Sequence, residues 1–127
     1  MILSNTDRDF IEVSKAAKKL NDRGVVVSAG AHGQLDGMGQ HWEVWNMALG
    51  GMTNHEALRT ATINGAKALG MDEEIGSLQS GKLADLLVLD ANPLANIRNT
   101  ESIRYVMVNG RIFDANNSVE RMRPAIA

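Results

Sequence analysis

An α/β to α+β fold is predicted by two features of the chain. Near the start, a helical stretch runs through a glycine into a β-branched triplet; in the second half, short β runs are separated by turn residues and end at Asn109-Gly110. Helix, tight turn and apolar strand in that order belong to a parallel sheet, whereas two β runs joined by Asn-Gly belong to an antiparallel hairpin. At 127 residues the chain allows one domain and hardly two, and 44% hydrophobic with 22% charged residues is the composition of a chain able to bury a core.

Phe10, Val13, Ala17 and Leu20 fall on one helical face, with Lys15, Lys18 and Lys19 left for solvent. The acids and capping residues of 4–9 mark the start of that helix, and Gly24 marks a left-handed stop. Val25, Val26 and Val27 follow without alternation, which predicts a strand covered on both faces. Four glycines in the ten residues GAHGQLDGMG, 30–39, predict a loop at that strand's end. His41 to Leu49 then puts Trp42, Trp45 and Leu49 on one face of a second helix, ended by Gly50-Gly51. Thr53-Asn54-His55-Glu56 fits a capping box and opens a helix expected to run to Leu69 and stop at Gly70. Beyond Met71, strands are expected within 84–90, 102–108 and 111–114, and the tail over 116–127 has little periodicity.

A formal charge of -2 without blocks of like charge gives no electrostatic case for nucleic acid or an anionic membrane. No apolar run approaches the length of a membrane span, so the sequence predicts a soluble chain and leaves its compartment open. The absence of Cys excludes disulfides and thiolate zinc sites. The three histidines are therefore the first candidates for metal binding or proton transfer. His32 is best placed, inside the glycine-rich loop, with Asp36, His41 and Glu43 near enough in sequence to converge with it on zinc or a similar ion. The spacing of these four matches no compact ligand motif, and a loop histidine bonded to backbone is the plainer alternative. His55, within the capping box, reads as a first-turn surface residue. Trp42 and Trp45 could line a pocket, although an aromatic pair on one helical face more often builds core. A phosphate cradle is disfavoured: no GxxxxGK[ST] occurs, and no Lys or Arg lies between Gly24 and Leu58. No GxSxG nucleophile elbow is present either.

Three segments in order resemble the C-terminal signature of the amidohydrolase superfamily: EALRTATINGAKALG, IGSLQSGKLADLLVLDANPL and YVMVNGRIFD. Upstream, GAHGQLDGMGQHWE is similar to its imidazolonepropionase-like and Tol-associated members. The resemblance implies the end of a (β/α)8 barrel, with helix 7, strand 8 and the following helices over 1–75, part of a small β-sandwich over 76–115, and a tail over 116–127. It also implies a metal-dependent hydrolase of non-peptide C–N bonds in amide or imide-like small molecules, with a divalent metal, zinc foremost. Most members carry a Gly-Thr-Asp at the end of the eighth strand, where this chain has Gly30-Ala31-His32. His32 is thus the implied catalytic or metal-binding residue, and Asp36 a substitute for the carboxylate.

Such a barrel needs about 250 residues, and the family's HxH motif is absent. The chain is accordingly expected to be the C-terminal portion of a hydrolase, inactive alone. Its partners would be the remainder of the barrel or further copies of itself, with no nucleic acid and no membrane. The alternatives are a standalone interaction module that self-associates through its helix faces, and a small metal-binding protein using His32, Asp36, His41 and Glu43.

Overall fold

The computed structural model describes residues 5–31 and 37–115, with side chains from residue 9 onward. Helix α1 spans Asn5–Asp22, α2 Met38–Leu49, α3 Asn54–Thr60 and α4 Ile63–Ala68. Strands β1 Leu86–Leu89, β2 Ile103–Val108 and β3 Arg111–Asp114 form one antiparallel sheet in the order β1-β2-β3, and a 3-10 turn, Ile97–Glu101, precedes β2. The tail expected over 116–127 lies outside the described residues.

The punctuation of the chain is where the sequence put it. Gly24 ends α1 with φ +80°, and Gly70 follows α4 with φ +69°. Asn109 and Gly110 are both left-handed, at φ 48° and 77°, which is the type I′ geometry that matches the twist of two paired strands. The resulting register sets Val108 opposite Arg111 and Val106 opposite Phe113. Thr53 and Glu56 form the expected capping box: Thr53 Oγ1 accepts from Glu56 N at 3.2 Å, and Glu56 Oε2 accepts from Thr53 N at 2.8 Å. Glu56 also reaches α1, through Asn21 Nδ2 at 3.3 Å and Lys18 Nζ at 3.5 Å. Replacing Thr53 by Ala should cost about 1 kcal/mol of stability in urea unfolding.

The Thr53 backbone N–H, foremost, holds the Glu56 carboxyl below the 4.5 of an unperturbed glutamate. A carboxylate with a depressed folded pKa contributes stability above its unfolded value, and the contribution is lost as pH falls through the folded one. Acidification below about pH 4.5 should therefore loosen α3 in the native chain. Glu56→Gln should remove that part of the acid sensitivity, read as the pH dependence of the urea midpoint.

Two expected elements are corrected. The helix expected from Thr53 to Leu69 breaks after Thr60, because the Thr60 carbonyl, which would accept the Asn64 N–H in a continuous helix, accepts the Ala29 N–H at 2.9 Å instead. The Thr62 hydroxyl bonds back to Leu58 O at 2.9 Å, a contact that bends helices. Asn64, buried at the start of α4, donates from Nδ2 to Val27 O at 2.9 Å. The segment after Gly24 is thereby held, but no strand forms at Val25–Val27. Its expected cover on both faces is absent too, with Val25 and Val26 48% and 50% exposed. Val27 and Ala29 pack on the core of Val44, Met52 and Ala57. The backbone groups of Val26 and Ser28 have no hydrogen-bond partner among the described residues, since no neighbouring strand is there to take them.

Helix α1 buries only part of the face its apolar periodicity suggests. Ser14 is buried against α2 and Ala17 packs on the core, whereas Phe10 and Val13 are 58% and 70% exposed. The described β half is a single sheet. Leu87 and Val88, consecutive and hence on opposite faces, are both exposed, so neither face is fully covered.

Candidate functional site

The base of the glycine-rich loop is built from both sides. Gly30 donates its N–H to Glu43 Oε2 on α2 at 3.0 Å, and the α2 residue Gly39 lies against Ala31, where an added Cβ would sit 3.6 Å from the Ala31 Cβ. The chain returns through Gly37 in a left-handed conformation, φ 75°. Glu43 thus fixes the point at which the backbone leaves the Val25–Gly30 segment, by a hydrogen bond strengthened by the carboxylate's charge. Glu43→Ala should make the Gly30 amide exchange its hydrogen several-fold faster, measured residue by residue, with little change in the amides of β2. His32 and Asp36 themselves lie outside the described residues.

His41 belongs to a different cluster. Its Nδ1 lies 3.0 Å from Thr100 Oγ1, which also accepts from the Trp45 indole N–H at 2.9 Å, and that N–H is shared with Ile97 O at 3.0 Å. An indole can only donate, so Thr100 Oγ1 accepts from Trp45, and the direction of its bond with His41 Nδ1 follows the tautomer of the imidazole. The Arg98 guanidinium lies 4.5 Å from the Trp45 ring centroid. Trp45 is buried and Trp42 is 45% exposed, so the pair divides between core and surface. Behind His41, a cavity of about 610 Å³ separates α2 and α3 from β1 and β2, lined mainly by aliphatic side chains such as Val44, Leu58, Leu86 and Val106. Neither Thr100 nor Arg98 was signalled by the sequence: each sits in a short 3-10 turn more than 50 residues from its partner, with no periodicity to mark it.

The four-residue grouping therefore divides: Glu43 serves the loop base and His41 serves the junction with the sheet. His55 is exposed on the first turn of α3, as expected. Among the described residues, no three His, Cys, Asp or Glu side chains converge to hold a metal ion, so the family's divalent metal is not accommodated by them. No described helix is long and apolar enough to cross a membrane.

The described residues thus comprise four helices, an apolar segment at the foot of a tethered loop, and a three-stranded antiparallel sheet. The amidohydrolase family model matches residues 8–113, and the chain belongs to that family. It is 38% identical over 81 residues to the 5-methylthioadenosine/S-adenosylhomocysteine deaminase of Moorella thermoacetica, covering 54% of this chain and 19% of that protein. To the imidazolonepropionase of Picrophilus torridus it is 42% identical over 57 residues, covering 42% of this chain and 14% of the relative. A crystal structure of a Xaa-Pro dipeptidase with methionine bound in the active site superposes with a TM-score of 0.71 at 30% identity, over 80% of this chain and 25% of that one. The chain thus spans 19% and 14% of the two curated relatives and a quarter of the solved one.

Proposed function

We propose that the chain is the C-terminal portion of an amidohydrolase that hydrolyses C–N bonds in amide or imide-like small molecules, and that His32 is its contribution to the active site. The observation that carries this reading is the family match over 8–113. The segment after Gly24 supports it: Val27 and Ala29 pack on the core, while the backbone groups of Val26 and Ser28 are unpaired among the described residues, as they would be where a neighbouring barrel strand is to be supplied. On this reading 1–75 ends the barrel, 76–115 is one arm of a sandwich whose second sheet covers the exposed side of β1 to β3, and 116–127 is a tail. Asp36 is the second candidate, as a carboxylate acting beside His32. A divalent metal, zinc by preference, would draw its ligands from beyond the described residues.

The support for the bond type is in the relatives' names, a deaminase, an imidazolonepropionase and a Xaa-Pro dipeptidase, since removing an amino group and cutting a dipeptide both break a carbon–nitrogen bond. The test is a fusion of this chain behind the first three quarters of the Xaa-Pro dipeptidase, compared with the chain alone. The chain alone should turn over no amide, and the fusion should hydrolyse a C–N substrate. His32→Ala in the fusion should then lose about 100-fold or more, the scale of a lost proton-transfer group. Turnover by the isolated chain would overturn the fragment reading, and a fusion indifferent to His32 would overturn its role.

A second reading has its own observation. Phe10, Val13, Leu20, Val25 and Val26 are all 47% or more exposed, an apolar surface on α1 and the segment after it. A module that self-associates through this surface would sediment above the 13.7 kDa of one chain. A stable oligomer whose Val26→Asp variant becomes monomeric without unfolding would favour it.

A further inference from the structure

The chain contains two Asn-Gly dipeptides, Asn64-Gly65 and Asn109-Gly110, and the fold places them in opposite circumstances. Asn64 is 7% exposed, its backbone is helical in α4, and its side-chain amide is engaged with Val27 O at 2.9 Å. Asn109 sits exposed at the tip of the β2–β3 hairpin, and its side-chain amide has no partner among the described residues. A Cβ built on Gly110 would meet nothing within 4 Å, so the side of Gly110 away from its own chain neighbours is open.

We propose that Asn109 is a deamidation site of the folded chain and that Asn64 is not. The Gly110 amide nitrogen loses its proton to solvent base and attacks the Asn109 side-chain carbonyl carbon; ammonia leaves, and a five-membered succinimide forms. Water then opens the ring at either carbonyl, giving aspartate or the β-linked isoaspartate. The balance is Asn plus water to an acid plus ammonia, with no oxidant or cofactor.

Two contacts hold the turn against this chemistry. Gly110 N–H donates to Ala84 O at 3.1 Å, and Asn109 N–H donates to Asp85 Oδ1 at 2.6 Å. Both acceptors precede β1 and are exposed, so releasing them needs only fraying at the sheet's end. Releasing Asn64 needs α4 and its bond to the Val27 segment to open together. The consequence is also local. Isoaspartate lengthens the main chain within a two-residue turn that fixes the β2–β3 register, and the new carboxylate lies beside Asp85.

The test is incubation of the full chain at 37 °C and mildly alkaline pH, with peptide mapping by mass and by isoaspartyl-specific methyl transfer. A parallel incubation in urea at the same pH supplies the unfolded rates. Conversion at Asn109 should outrun that at Asn64 by about 10-fold or more in the folded chain, and the two should approach each other in urea, since the difference is structural protection. Asp85→Ala should speed Asn109 and leave Asn64 unchanged. Equal rates at the two sites in the folded chain, or faster conversion at Asn64, would overturn the proposal.

Discussion

Trp45→Ala is expected to cost about 3–5 kcal/mol, the scale of a large aromatic removed from a packed interior. The ring is 6% exposed, carries Arg98 on one face at 4.5 Å, and gives its N–H to Ile97 O and Thr100 Oγ1. Few other apolar side chains are as buried among the described residues: Val44, Met52, Ala57 and Ala66. A core this small leaves little to compensate. Trp45→Phe isolates the polar part of the effect, because the ring stays while two acceptors on the 3-10 turn lose their donor; about 1–3 kcal/mol is expected from that alone. The measurement is urea unfolding followed by far-ultraviolet circular dichroism. Because α2 meets the sheet chiefly through the 3-10 turn beside an open cavity, the Phe variant should also expose β1 amides to faster exchange than those of α3. A Phe variant as stable as the native chain would mean that the indole N–H contributes nothing to the junction.

Local signals in the sequence located the elements, and long-range ones were silent. Gly24, Gly70, the capping box and Asn109-Gly110 all impose a backbone conformation through residues adjacent in sequence, and all stand where they were read. The errors have another origin. A continuous helix from Thr53 to Leu69 satisfies its own periodicity, and only the arrival of the Ala29 N–H at the Thr60 carbonyl breaks it. Val25 to Val27 reads as a strand because β-branched residues suit one, yet a strand exists only if a neighbour takes its hydrogen bonds. The apolar stripe of α1 is similarly true of the sequence, but of its members Ala17 packs on the core while Phe10 and Val13 are exposed, and Ser14, outside the stripe, is buried against the end of α2. At the candidate site, Glu43 was singled out as a possible ligand and is found holding the loop base; His41 was grouped with it and faces Thr100, 59 residues away.

Gly50→Ala should destabilise the chain, although local preference points the other way. Gly50 has φ -73° in the right-handed helical region, where Ala is intrinsically favoured over Gly by about 1 kcal/mol. The opposing effect is steric: a Cβ there would lie 2.4 Å from the Ser14 carbonyl carbon and 2.5 Å from its oxygen and Cβ. Two of those atoms are α1 backbone and the third is the Cβ attached to it, its side chain tied by the Ser14 hydroxyl's bond to Phe10 O at 2.8 Å, so none can swing aside as the end of a long side chain could. The helices must separate, which overpacking data put at about 1–3 kcal/mol net of what relaxation recovers. Gly39→Ala supplies the opposite sign within the same helix. Its Cβ would meet only the Ala31 Cβ, at an ordinary 3.6 Å, so the helical preference should prevail and stabilise by up to about 1 kcal/mol. Urea midpoints moving in opposite directions for the two substitutions would establish that the end of α2 lies directly against the α1 backbone at Ser14. A neutral Gly50→Ala would mean that they do not, and that the loop base at Gly30 and Glu43 rests on a looser pair of helices.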